Sequence, residues 1–373
     1  MRTYVRLLAL ALAAVSLGAC TRWNRPPTTT TTRAPVTTVQ PTTSVTTGPT
    51  SSTSLPATTT TRMPTTTTTR PGSGAGLHVA NGRVLDGGGN DIVLRGVNHA
   101  HTWYKDKTPQ AMRDIKATGA NSVRVVLSGG GRGWTKDDAA SVTTIVAQCR
   151  ELKVVCVLED HDTTGYAEQD GAHTLDQAVD YFVSIKSALD GAEGWVILNP
   201  GNEPWGNRTP DGWQPATTNA IKRLRTAGFR HLIMIDGPAW GQDWENRMRD
   251  AAPTVAAADP QANVVFSIHM YAVYNTADKV KTYLDSFISR KIPLVVGEFG
   301  WQFSPNEVDD ATIMSYAQQK GIGYLAWSWS GNTDPVLDMV NGFNAASLST
   351  WGQRAINGPN GIKATSRPIP ALG

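Results

Sequence analysis

Asn121-Ser122-Val123-Arg124-Val125-Val126-Leu127, a stretch of helical spacing over 136–151, and then Val154-Val155-Cys156-Val157-Leu158 read as one strand–helix–strand unit. Working outward from it, the same alternation recurs eight times. Apolar runs bounded by Gly, Asn or Asp fall at Ile92–Val97, Ser122–Leu127, Val154–Leu158, Trp195–Leu198, Leu232–Ile235, Val264–His269, Leu294–Val296 and Gly323–Trp327. Helical spacing covers 109–118, 136–151, 174–189, 216–227, 242–251, 278–290, 308–319 and 346–356. A short lead-in, Leu77-His78-Val79 and Arg83-Val84-Leu85-Asp86, predicts a hairpin. Eight strand–helix units in about 290 residues predict a single (β/α)8 TIM barrel. The competing doubly wound sheet wants a Gly-rich phosphate fingerprint after an early strand. Gly129-Gly130-Gly131 follows the second strand but lacks that spacing.

Outside the barrel the chain has a different character. Arg2 and Arg6 flank an apolar run, Leu7 to Leu17, too short for an ordinary membrane-spanning helix and suited to a secretion signal over 1–20. Leu17-Gly18-Ala19-Cys20 resembles a bacterial lipobox, in which Cys20 would carry lipid; signal cleavage near Ala19 with an incidental Cys is the alternative. Residues 21–75, rich in Thr and Pro, offer little apolar area to offset ordering entropy and read as a disordered linker. The expected domains are thus signal, linker, a catalytic barrel over 76–366 and a C-terminal tail over 367–373. The chain of 373 residues carries a net charge of +3, but residues 1–70 hold seven Arg and no acid. Removing those seven from the 34 basic residues leaves 27 against 31 acidic, so the folded part is acidic, at −4. A nucleic-acid-binding face, which would show as clustered basic residues in the folded part, is excluded on that ground.

In a barrel, chemistry collects where strands end at their C-terminal side. Those positions are polar and aromatic: Asn98-His99, Arg124, Glu159 to Asp162, Asn202-Glu203, Asp236, His269, Tyr271, Glu298 and Trp327. Taken singly, each would pass as a loop cap or a solvated side chain; together at one rim they would not. Glu203 ends the fourth barrel strand and Glu298 the seventh, so the two carboxyls can flank one bond, as glycoside hydrolysis requires. Arg124 and Tyr271 are placed to donate to Glu298 and keep it ionised, and Asn202 to meet a sugar 2-hydroxyl. Glu203 would act as the acid, a role that a dry aromatic wall favours.

The segments Arg95-Gly96-Val97-Asn98-His99-Ala100-His101-Thr102-Trp103-Tyr104, Asn121-Ser122-Val123-Arg124, Asn202-Glu203-Pro204, Ile268-His269-Met270-Tyr271, Gly297-Glu298-Phe299-Gly300 and Ala326-Trp327-Ser328-Trp329 together resemble glycoside hydrolase family 5. Within it the chain looks most like secreted bacterial endo-β-1,4-mannanases, from about residue 76 to 366. The resemblance implies Glu203 as acid/base and Glu298 as nucleophile, with Arg124, His161, Asn202, His269, Tyr271 and Trp327 around them. It places His99 and Trp103 along the glycone-side cleft. It implies a neutral β-linked polysaccharide as substrate and no cofactor, and a monomer is expected. An endo-β-1,4-glucanase is the nearest alternative, and a non-enzymatic polysaccharide-binding protein a more distant one, since a pure binder has no need of the acid pair.

Two positions depart from the family pattern. Pro200 replaces a branched aliphatic, and within an inner strand it would remove a ladder hydrogen bond. Asp160 replaces an apolar residue and makes Glu159-Asp160-His161-Asp162 densely acidic; consecutive residues alternate in direction, so no metal site is expected there. Trp205, Trp301 and Trp329 sit just after strand ends, as Trp103 and Trp327 do, where rings either stack on sugars or fill the core. Cys149 on the second helix and Cys156 on the third strand can meet between helix and sheet, as a disulfide or as two thiols.

Overall fold

The structure, a computed structural model, describes residues 76–303 and 306–373. The expected signal over 1–20, Cys20 and the linker over 21–75 lie outside the described residues. A hairpin of β1 (His78–Ala80) and β2 (Arg83–Leu85) comes first. Seven parallel strands follow: β3 (Arg95–His99), β4 (Ser122–Leu127), β5 (Val155–Asp160), β6 (Val196–Asn199), β7 (Leu232–Asp236), β8 (Val264–Met270) and β9 (Leu294–Phe299). A small hairpin joins β10 (Gln302–Phe303) to β11 (Asn306–Glu307). Then β12 (Gly323–Ala326) pairs with both β9 and β3 and closes the eight-stranded barrel.

The helices between strands are α1 (Thr108–Ala117), α2 (Ala139–Glu151), α3 (Leu175–Ser184), α4 (Trp213–Thr226), α5 (Arg247–Ala257), α6 (Ala277–Ile288) and α7 (Asp310–Lys320). Helix α3 shows why they form. Leu175, Ala178, Val179 and Phe182 bury one stripe, and Thr174 and Gln177 close a reciprocal cap at its start. Helix α5 starts five residues later than the spacing over 242–251 predicts. Asp243 and Asn246 have φ of 43° and 61°, which ends any helix there, and the Asp243 carboxylate instead accepts the amides of Met248 (2.8 Å) and Arg249 (2.9 Å). The last expected helix, 346–356, is a short turn at Thr350–Gly352 running into a π turn at Gln353–Asn357. Among the described residues no helix is long and apolar enough to cross a membrane.

Strand alternation divides the barrel into two environments. Low inside it, Val155, Val157, Leu232, Met234, Val265, Val295 and Leu325 pack with Leu77, Val79 and Val84 of the N-terminal hairpin. Higher on the same inward-facing rows stand Asn98, Arg124, Glu159, Asn199, Asp236 and His269, all fully or almost fully buried. The opposite parity, including Val123, Val125, Cys156, Leu158, Ile233 and Ile235, faces the helices. Each large apolar side chain in the floor contributes roughly 1.5–3 kcal/mol, which offsets the cost of desolvating the polar layer above it.

Within the residues expected as a tail, 367–373, Ile369 and part of Leu372 pack onto that floor. Ile369 is buried against Leu77 and Val79, and the Ala371 amide donates to Asp86 Oδ2 at 2.9 Å. One apolar residue among prolines carries no periodic signal, so the sequence reading set the boundary too early. Cys149 and Cys156 are joined in a disulfide with Cα atoms 6.0 Å apart, linking α2 to β5.

Candidate active site

Arg124, on β4, is the hub of the polar layer. Its five N–H groups are all used: Nε to Asn199 Oδ1 (2.9 Å), Nη1 to Asn98 Oδ1 (3.1 Å) and Glu298 Oε1 (2.7 Å), Nη2 to Asn202 Oδ1 (2.8 Å) and Asp236 Oδ2 (3.0 Å). Burial alone would weaken its hold on the proton, but Glu159, Asp236 and Glu298 more than reverse that, so the guanidinium is a fixed cation. Asn98 is itself held, donating to the carbonyls of Gly297 (3.1 Å) and Leu325 (3.2 Å).

Glu203 and Glu298 face each other across His269. The His269 Nδ1 lies 2.9 Å from Glu203 Oε1 and 3.5 Å from Glu298 Oε2, and the nearest oxygens of the two carboxyls are within 4.8 Å of each other. A register shift between β8 and β9 at Ile268/His269 sets His269 beside Glu298, so both enter the barrel mouth. The ring is seated on the backbone of Gly241, whose carbonyl accepts the His269 amide at 2.9 Å. A Cβ on Gly241 would stand 2.6 Å from the ring, and its φ of 69° also favours glycine.

Asp236 completes a chain of charge. Its Oδ2 lies 3.2 Å from His269 Nε2 as well as 3.0 Å from Arg124. Burial would raise Asp236, but the His269 and Arg124 cations hold it at about 2. Burial would lower His269, but Glu298 and Asp236, with the hydrogen bonds to Asp236 and Glu203, lift it to about 10. His269 is therefore an imidazolium wedged between carboxylates. Glu298 also accepts Tyr271 Oη at 2.9 Å. Burial pushes Glu298 upward; His269 and Arg124 pull it back, Glu203 adds to the push, and the net direction is up.

Glu203 itself has φ of 39°, a conformation that costs a non-glycine residue about 1–3 kcal/mol. The turn is over-determined by its neighbours. The Asn202 amide donates to Asp160 O (3.0 Å), Thr163 Oγ1 to Asn202 O (2.6 Å), and the Gly165 amide to Glu203 O (3.0 Å). Pro200 falls one residue beyond the end of β6, where no ladder bond is lost.

Trp103, Trp134, His161 and Trp327 form an aromatic wall at the mouth. His161 stacks on Trp327 at 5.9 Å, Trp103 meets the edges of Trp134 and His161 at 5.1 Å each, and all three Trp remain half-buried. The His161 Nδ1 lies 2.9 Å from Glu159 Oε1, which turns Nε2 the other way.

Two expectations need correction, for His99 and Asn202, and the open choice at Trp205, Trp301 and Trp329 is decided. His99 is fully buried and points to the helix layer, with Nε2 2.8 Å from Thr108 Oγ1; on one strand Asn98 and His99 cannot both face inward, and Asn98 does. Asn202 is 1% exposed, its Oδ1 taken by Arg124 and its Nδ2 donating to Thr164 Oγ1 at 2.9 Å, so a sugar hydroxyl could meet only its second amide hydrogen. Trp205 and Trp329 are buried and belong to the core, whereas Trp301 is partly exposed with Nε1 tied to Val336 O. Asn199 and Trp134 join the site without being among the expected residues. Asn199 could have been found by parity with Ile197; Trp134 lies in a Gly-rich loop with no period to follow.

Among the described residues, two groups of His and carboxylates are compact enough to hold a cation: Glu203 with His269 and Glu298, and Asp160 with Asp162 and His173. The first is a poor ligand set, because an imidazolium has no lone pair to give.

A family model described as "Cellulase (glycosyl hydrolase family 5)" matches residues 85–333. The chain is 55% identical over 301 residues to a mannan endo-1,4-beta-mannosidase of Streptomyces lividans, covering 80% of this chain and 78% of that one. It is 49% identical over 302 residues to a mannan endo-1,4-beta-mannosidase of Cellvibrio japonicus, covering 80% and 70%. The crystal structure of a beta-mannanase from Streptomyces thermolilacinus with mannohexaose is similar at a TM-score of 0.79 and 51% identity, covering 80% of this chain and 99% of that one. With this fold, this pair of carboxyls and these relatives, the chain belongs to glycosyl hydrolase family 5.

Proposed function

We propose that the protein is an exported, retaining endo-β-1,4-mannanase. The observation that carries the reading is the approach of the Glu203 and Glu298 oxygens to within 4.8 Å. Retaining glycosidases hold their carboxyls about 5–5.5 Å apart, whereas inverting ones leave about 6.5–9.5 Å for a water molecule. Mannan as substrate is supported by the names and high identity of the relatives above.

Glu298 attacks the anomeric carbon while Glu203 gives its proton to the departing glycosidic oxygen. A covalent glycosyl-enzyme forms at Glu298. Glu203, now a carboxylate, takes a proton from water, and the resulting hydroxide displaces Glu298 with configuration retained overall. Arg124 and Tyr271 both donate to Glu298, which orients it as the attacking carboxylate, while His269 is the side chain that reaches Glu203. Asp236 keeps His269 charged, and that charge stabilises Glu203 once its proton has left. Trp103, Trp134 and Trp327 offer faces and edges for neutral sugar rings. One chain carries every group the reaction uses, so a monomer suffices.

Export is supported by the Leu7 to Leu17 run and by the disulfide, which suits an oxidising compartment. Lipid on Cys20, with 21–75 as a tether, remains part of the proposal, and mass measurement of the mature N-terminus tests it.

The functional test is reducing-end release from mannan and from a soluble cellulose derivative, with binding to both measured alongside. Mannan cleavage is expected. Cleavage of the glucan alone would make the protein an endoglucanase, and binding without release would make it a binding protein.

A further inference from the structure

At the end of β5 and in the turn that follows it, Glu159 and His161 face the cleft, while Asp160 and Asp162 lie on its outer side against Ser128, Gly129 and Gly131. There the carboxylates meet His173, eleven residues further on. We propose that Asp160, Asp162 and His173 form a site for one divalent transition ion, of the Zn2+ or Mn2+ class, behind the loop that carries His161. One ligand atom from each of the three lies within 4.8 Å of the others, and His173 Nδ1 is 3.5 Å from Asp162 Oδ2. Bonds of about 2.1 Å in tetrahedral array place neighbouring ligand atoms about 3.4 Å apart.

Unsatisfied atoms point to the ion. Asp160 is fully buried, its Oδ2 has no hydrogen-bond partner, and neither has His173 Nδ1. Buried polar atoms in native proteins almost always have partners, and a missing ion is one ordinary reason when they do not. Asp160 and Asp162 are both fully buried, and the cation nearest them is Arg132. Arg132 approaches but donates to the main-chain oxygens of Asp162 and Thr164 rather than to a carboxylate.

The surroundings orient the ligands as a metal site requires. Asp162 accepts Ser128 Oγ at 2.8 Å and the Gly131 amide at 2.9 Å, and the His173 amide donates to Asp162 O at 2.8 Å. A Cβ on Gly131 would stand 2.7 Å from His173 Nε2, so glycine there lets the loop close over the imidazole. His173 keeps 21% of its side chain exposed, which gives an ion a way in. An imidazole with two carboxylates suits Zn2+ or Mn2+; Ca2+ wants six to eight oxygens. Its occupancy would pin the loop under His161, and through the His161–Trp327 stack the aromatic wall.

The test is calorimetric titration of the untagged full chain, stripped with EDTA and desalted, with Zn2+, Mn2+, Ca2+ and Mg2+ in turn, each followed by a melting curve. One Zn2+ or Mn2+ per chain is expected, with Tm raised by several degrees. His173→Ala and Asp160→Asn should each weaken binding at least tenfold, and Glu203→Gln should leave it unchanged. Absence of saturable binding would overturn the proposal. So would binding that survives both His173→Ala and Asp160→Asn, binding lost in Glu203→Gln, or Ca2+ and Mg2+ binding as tightly as Zn2+.

Discussion

Glu298 and Glu203 differ in what surrounds them more than in where they stand. Glu298 takes a guanidinium and a phenol, and Glu203 takes one imidazolium. Glu298→Gln keeps the shape and removes the nucleophile, so kcat on mannan should fall on the order of 10⁴-fold or more with the fold intact by circular dichroism. Activity within tenfold of the parent would remove Glu298 from that role. Asp236 gives a pH prediction. The folded pKa of His269, about 10, lies above the ordinary 6.5, so its charge contributes stability that is complete below about 6.5 and lost as pH rises through about 10. In Asp236→Asn one of the raising carboxylates is gone, and the alkaline fall in Tm should begin at least roughly one pH unit lower. A Tm–pH curve that keeps the parent's alkaline limb would show that Asp236 does not hold His269 charged.

At the scale of elements, the disulfide between α2 and β5 closes a short loop, seven residues apart in sequence. Loop-closure entropy for that length is about 2.5 kcal/mol, so the double Cys149→Ser, Cys156→Ser variant should melt roughly 4 °C lower by calorimetry. A change under about 1 °C would mean the bridge constrains little. The same strand shows how far the sequence could be read. Cys156 outward and Glu159 inward follow from alternation, and every barrel strand was visible as an apolar run. Where two polar residues adjoin, as at Asn98-His99, parity had to choose, and only the pairing of β3 with its neighbours makes the choice. The β8/β9 register shift that sets His269 beside Glu298 depends on contacts between strands, which no run along one strand can display. Helix α5 was misplaced for a similar reason: its N-terminus is capped by Asp243 from outside the helical period.

Over the whole molecule, charge is sorted by region. The +3 of the chain belongs to the Arg of residues 1–70, and the remainder is mildly acidic. Inside the barrel the charges neutralise one another around Arg124, and the outer mouth presents half-buried Trp. A neutral polymer gripped by aromatic faces should bind with little dependence on salt, so KM for mannan should change less than about twofold between 0.05 and 0.5 M NaCl. A tenfold rise would mean that charge drives recognition. The central claim, that Glu203 and Glu298 cleave mannan by double displacement, is tested most directly by proton NMR of mannohexaose during its first minutes with the enzyme. The β-anomer of the new reducing end should form first and then mutarotate. An α-anomer formed first would contradict the account.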